Sequence, residues 1–234
     1  MTAELLRVTG LHAYYGESHI LHGVDLTVSE GEVVTLLGRN GAGRSTTLRA
    51  LLGLIAKRSG SVVIQGQEAI GLPAHKIAQL GVGYCPEERG IYASLSAEEN
   101  LLLPPIVREG GMSLDEIYTM FPNLKERRGT QGTRLSGGEQ QMLAVARTLR
   151  TGARLLLLDE ISEGLAPVIV QGLARTIQQL RSRGFTIVMV EQNFRFAAPL
   201  ADRFYIMEHG RIMETFAASE LQVRMSVVHQ FLGV

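Results

Sequence analysis

The sequence has no tryptophan and only one cysteine, Cys85, in 234 residues. A lone thiol cannot close an internal disulfide, so a cystine-stapled scaffold is excluded and a reducing compartment is favoured. Neither sign of charge dominates, because 23 Lys+Arg balance 23 Asp+Glu. A dedicated nucleic-acid binder carries a basic excess, so no nucleic-acid partner is expected. No apolar run approaches the roughly 18 residues that cross a bilayer. The opening MTAELLRVTG lacks the basic start and apolar centre of a secretion signal. Internal repeats and low-complexity tracts are missing too. The expectation is a chain that is soluble alone and can still dock on a membrane protein.

What is present is aliphatic: 45% of residues are hydrophobic and only 6% aromatic, which suits an α/β core. Residues 4–37 read as short strands, ELLRVTGLHAYY, ILHGVDLTV and EVVTLL, with a turn at Ser29-Glu30-Gly31. Val33–Leu37 fits a strand buried on both faces. A glycine-rich loop follows, then a helix over Ser45–Leu54. Residues 59–66 read as a strand, HKIAQLG as a short helix and GVGYCPE as another strand. The S-x-x-E spacing of Ser96–Glu99 predicts a helix start near Ala97. Residues 88–150 read as a mainly helical sub-domain, interrupted at Pro104-Pro105 and Gly110-Gly111. Arg154–Asp159 and Phe185–Glu191 read as strands flanking a helix over Pro167–Arg183. Phe204–Glu214 reads as a hairpin turning at His209-Gly210, with a short helix from Ala218. Strands alternating with helices predict a mostly parallel sheet. The chain is expected to form one domain, with 1–87 and 151–234 as its core and 88–150 as the sub-domain.

Four segments carry chemistry. LLGRNGAGRSTTL, Leu36–Leu48, follows the phosphate-cradling pattern G-x-x-x-x-G-K-[ST], with Arg44 in the lysine position. Gly38, Gly41 and Gly43 are expected to permit backbone angles closed to other residues, so that amides around Asn40 point inward. The helix after the loop adds its positive end. Ser45, followed by Thr46, offers a hydroxyl to Mg²⁺. Second, the apolar strand LLLLDE ends in two acids. Asp159 can bind the metal shell, and Glu160 can orient and deprotonate a water aimed at a γ-phosphate. Third, in LSGGEQQM, Ser136, Gly137 and Gly138 open a second helix start suited to an anion. Fourth, VEQN, Val190–Asn193, closes the strand after them.

Together these segments resemble the ATP-binding subunit of an ABC transporter, over essentially the whole chain. Residues 36–48 are similar to the family's Walker A loop, 154–160 to its Walker B strand and 135–141 to its signature motif. The resemblance implies a P-loop ATPase fold of ABC type, with a mixed sheet core, an N-terminal antiparallel β region and a helical sub-domain. It places Tyr15 where an aromatic stacks on adenine, and Gln192 at the switch. Cys85–Arg89, Phe121–Leu124, SGGEQQMLA, Gly164–Pro167 and VEQN narrow it to ATPases of branched-chain amino acid importers, with urea or amide importers as neighbours. The implied ligands are ATP and Mg²⁺. The implied partners are a second, like or unlike, ATPase paired head to tail, two membrane permeases and, indirectly, a solute-binding protein. The implied place is the cytoplasmic face of the inner membrane. Each ATP would lie between one chain's Walker A loop and the other's signature motif.

Some positions depart from the family pattern. Glu87 stands for the usual glutamine and Gln192 for the usual histidine, both common in this subgroup. Glu87 can still hold a metal-bound water, and Gln192 can still donate to a γ-phosphate oxygen. Glu163 adds a charge to the crossing loop and reads as a solvated acid. Ile161 replaces proline, which would leave the backbone at Glu160 freer. Arg44 keeps the lysine's charge but is longer and planar. A group misplaced by about 1 Å can cost on the order of a hundredfold in rate. Retained but weakened nucleotide binding and slow hydrolysis are therefore expected. A nucleotide-binding regulatory subunit that never hydrolyses ATP is the competing expectation.

Overall fold

The structure, a computed structural model, describes residues 3–233. Its elements begin with β1 (Glu4–Tyr15), β2 (Ser18–Ser29), β3 (Val33–Leu37), α1 (Arg44–Leu51), β4 (Lys57–Ile64) and β5 (Gln67–Glu68). They continue with α2 (Ala74–Gln79), β6 (Val82–Cys85), α3 (Ala97–Leu102), α4 (Leu114–Met120), α5 (Pro122–Glu126) and α6 (Gly137–Arg150). Then come β7 (Leu155–Asp159), α7 (Pro167–Ser182), β8 (Thr186–Glu191), α8 (Phe194–Ala197), β9 (Arg203–Glu208), β10 (Arg211–Ala217) and α9 (Leu221–Leu232).

Two sheets form. The first is antiparallel and four-stranded, in the order β2-β1-β4-β5. The second is six-stranded, β10-β9-β3-β8-β7-β6, and parallel except for the β9–β10 hairpin. The central strands β3, β7 and β8 are buried at every residue. That is why they read as unbroken apolar runs rather than alternating ones. Successive side chains still point to opposite faces. Val34, Leu36, Leu155, Leu157, Val188 and Val190 pack toward the antiparallel sheet and α1. Val33, Leu156, Leu158, Ile187 and Met189 pack toward α3, α6 and α7. A smaller cluster of Phe204, Phe216 and Val228 lies under α9.

Helices α3 and α4 each begin with a serine whose hydroxyl takes an amide, reciprocated by a glutamate three residues on. The gap between them holds Pro104-Pro105 and Gly110-Gly111. Boundaries moved where local geometry intervened. Helix α1 stops at Leu51 rather than Leu54, because Gly53 turns the chain with φ +72°. Beyond Ala218 the chain makes a 3-10 turn and then the 12-residue α9, longer than the short helix expected. The β9–β10 turn ties the sheets together. The Gly210 N–H donates to the Ala42 carbonyl at 2.8 Å, and the His22 N–H donates to the Gly210 carbonyl at 2.9 Å. A Cβ at Gly210 would stand 1.8 Å from the Ile20 oxygen, so only glycine fits.

Candidate functional site

The site starts where β3 ends. Gly41 and Gly43 adopt φ +81° and +103°, angles that side chains resist. Gly38 does not take a left-handed angle. It is constrained by space, since a Cβ there would stand 2.4 Å from the Met207 carbonyl oxygen. That corrects the expectation that all three glycines serve backbone angles. Helix α1 then begins with no acid in its first turn and no side-chain cap. The first amides of a helix lack intrahelical partners, so this start is open to an anion. Residues 40–46 line a cavity of about 280 Å³ with Glu87, Glu160 and Glu163.

Strand β7 delivers the acids to that cavity. Asp159 is fully buried. The Ser45 hydroxyl donates to its Oδ1 at 2.8 Å and the Tyr84 hydroxyl to its Oδ2 at 3.0 Å. Burial raises the Asp159 carboxyl above the usual range, while these two bonds oppose the shift. Glu160 sits one residue beyond, at φ +47°. Burial raises its carboxyl too; Glu163 adds to the rise and Arg44 opposes it. Glu87 is raised by burial, then by the charges of Glu163 and Asp159. Like charges crowded this way favour a cation among them. Among the described residues no three His, Cys, Asp or Glu side chains form a metal cage. The donors present, a hydroxyl beside a carboxylate with phosphate oxygens to come, fit Mg²⁺, which takes few protein ligands.

Arg44 does not point into empty space. It is 4% exposed, and its Nη2 donates to Glu160 Oε1 at 2.6 Å and to Asn40 Oδ1 at 3.3 Å. Its Nη1 is buried without a hydrogen-bond partner. The residue at the lysine position is thus paired with the acid that would activate water.

Other residues singled out from sequence lie elsewhere. Gln192 is exposed and lines an adjoining cavity of about 760 Å³ that shares Glu160 and Glu163. Tyr15 ends β1, 46% exposed. Ser136 caps α6, ahead of Gly137 and Gly138, and none of the three lines the loop cavity. A Cβ on Gly138 would stand 2.8 Å from the Ile169 side chain, so a larger residue there would have to displace it. Sequence reasoning gave no role to Tyr84, Ser162 or Glu191. Glu191 carried a usable signal, an acid closing an apolar strand, as Asp159 does. Tyr84 carried none, because only the pairing of β6 with β7 brings it to Asp159.

A strand, an open amide cradle and a helix, facing paired acids at the end of the parallel strand one further along the sheet, define a P-loop nucleotide hydrolase. The ABC transporter family pattern matches residues 21–163, and the chain belongs to that family, as an ATP-binding subunit and ATPase of ABC type. It is 41% identical over 232 residues to the high-affinity branched-chain amino acid transport ATP-binding protein BraG of Pseudomonas aeruginosa, covering 98% of this chain and all of that one. It is 35% identical to the probable branched-chain amino acid transport ATP-binding protein LivF of Archaeoglobus fulgidus, over 93% and 94% of the two chains. The lipopolysaccharide export ATP-binding protein LptB of Haemophilus influenzae is 33% identical, over 98% and 97%. A nucleotide-free ATP-binding cassette of an ABC transporter superposes with TM-score 0.82 at 22% identity, over 95% of each chain. A dimeric post-hydrolysis cassette with ADP and Pi gives 0.80 at 24% identity, over 92% of this chain and 99% of that one.

Proposed function

We propose that this chain is one ATPase of an importer for branched-chain amino acids, seated on the cytoplasmic face of the inner membrane. It would pair head to tail with a second ATPase, like or unlike itself, beneath two permeases fed by a solute-binding protein. Residues 1–87 and 151–234 form the working core, and 88–150 the helical sub-domain. No helix among the described residues is long and apolar enough to cross a membrane. The full-length similarity to BraG supports the solute class. The observation that carries the chemistry is the uncapped start of α1 beside Ser45, Asp159 and Glu160.

In this reading the amides of Gly41, Gly43, Ser45 and Thr46, with Asn40 beside them, grip the phosphates, and Gly38 lets the loop pass Met207. Ser45 and Asp159, now joined by a hydrogen bond, would hold Mg²⁺, and Glu87 would hold a water nearby. When bound, such an ion would supply charge neutralisation for the phosphates. Glu160 takes the proton of the attacking water, and Gln192 donates to a γ-phosphate oxygen. Tyr15 stacks on the adenine. Ser136, Gly137 and Gly138 complete the partner's site.

Arg44 makes the cycle unusual. To reach the phosphates it must leave Glu160, and until it leaves, the ion pair makes Glu160 a weaker base. This competition slows hydrolysis in the chain's own loop. It also supports a second reading, a regulatory subunit that binds nucleotide without turnover. A urea or amide importer shares the same ATPase chemistry. The separating experiment is reconstitution with permeases and binding protein. ATP turnover should rise when the binding protein is loaded with leucine, isoleucine or valine. Stimulation by urea or amides alone would discard the solute class, and no turnover in any condition would favour the regulatory reading.

A further inference from the structure

Glu191 is a buried acid that the mechanism above does not use. It closes β8 and is 1% exposed. A buried carboxyl is costly unless its oxygens find donors. Both of its oxygens go to one neighbour. The Ser162 hydroxyl lies 2.7 Å from Oε2, and the Ser162 backbone N–H donates to Oε1 at 3.2 Å. Just upstream, the Glu160 N–H donates to the Val190 carbonyl at 2.9 Å. The last two residues of β8 therefore hold both ends of the segment Glu160–Ser162. Between them Ile161 is 1% exposed, fixed in the core.

This segment needs fixing. Glu160 has φ +47°, an angle that a residue with a side chain keeps only where its surroundings over-determine it. No proline ring follows to restrain the chain. The expected looseness at Ile161 is not what the geometry contains, because hydrogen bonds from β8 do the restraining.

We propose that Glu191 is a positioning residue for ATP hydrolysis: its carboxyl grips Ser162 and so holds the backbone that aims Glu160. The proposal rests on Glu160 being the base. Charge is consistent with the role. Burial pushes Glu191 up to about 8; the Ser162 bonds lower it, the charge of Glu160 raises it and that of Arg44 lowers it. The rise favours the protonated, neutral form, which adds no negative charge beside Glu160. Its next neighbour along the chain, Gln192, is neutral. Because the folded value lies above the ordinary 4.5, the contribution to stability is present at low pH and is lost as pH rises through about 8.

The test uses the assembled ATPase pair. Ser162→Ala and Glu191→Val should each lower kcat roughly tenfold, less than a full 1 Å displacement costs, with KM for Mg-ATP nearly unchanged. The double variant should lose no more than the worse single one, because both remove one interaction. Glu191→Gln should recover most of the loss, since an amide can accept from the Ser162 N–H and donate to its hydroxyl. Above the titration of Glu191, wild-type turnover should fall while Glu191→Gln stays level. Additive losses, a Glu191→Gln as slow as Glu191→Val, or a shared high-pH fall would overturn the proposal. If Glu191→Val does not fold, Ser162→Ala carries the test alone. A Glu160→Gln variant at full turnover removes the base assignment and this proposal with it. A dead Glu160→Gln beside a fully active Ser162→Ala removes this proposal only.

Discussion

Two helices of this chain begin on glycine-rich turns, and their starts are finished in opposite ways. Helix α6 closes its own: the Ser136 hydroxyl accepts the Glu139 N–H at 3.3 Å, and the Glu139 carboxylate accepts the Ser136 N–H at 2.7 Å. Burial tends to raise Glu139, yet the Ser136 bonds and Arg127 hold it below the usual range. The helix thus carries its own anion at its positive end. Helix α1 has neither cap nor acid. One start is a finished platform, stable before any ligand arrives. The other is left incomplete and waits for oxygens from outside. The same sequence grammar, glycines at a helix start, therefore goes with a self-capped start at one place and an uncapped one at the other.

Three variants would break or sharpen this contrast. The largest effect is expected from Glu160→Gln, which removes the proposed base facing the open start while leaving its amides intact. Turnover should fall by at least about a hundredfold, the range of a lost general base, while bound ATP is retained in a filter-trap assay. Undiminished turnover would take Glu160 out of the mechanism. Next is Arg44→Lys, which frees Glu160 from its guanidinium partner. Turnover should rise about tenfold, a fraction of what a 1 Å error costs; no rise would mean that Arg44 does not limit the open start. The smallest is Ser136→Ala. It should cost about 1 kcal/mol of chain stability, as lost caps do, read by urea unfolding. The shift of Tm by Mg-ATP in the isolated chain should stay as it is, and a weakened shift would mean that the capped start also binds within one chain.

Much of this architecture was legible. Strands β3, β7 and β8 declare themselves as apolar runs, and the loop after β3 declares itself by glycine spacing. The serine cap of α3 follows from S-x-x-E alone, whereas the start of α6, read as a seat for an anion, is closed by its own capping box. What escaped depends on contacts distant in sequence. Arg44 and Glu160 are 116 residues apart, so their ion pair could not be read from either motif. The grip of Glu191 on Ser162 spans 29 residues and two loops. Strand β5 is two residues long, too short to leave a period. Gly38 was legible as glycine but not for its reason, because Met207 arrives from another strand.

The glycine at position 210 has a consequence for the whole cradle. It binds the back of the phosphate loop on one side and the edge of the N-terminal sheet on the other, in a gap that admits no side chain. The loop is therefore tied to β2 through this turn. A side chain at 210 would strike the Ile20 carbonyl on β2, so crowding at this turn would strain the tie between that strand and the cradle.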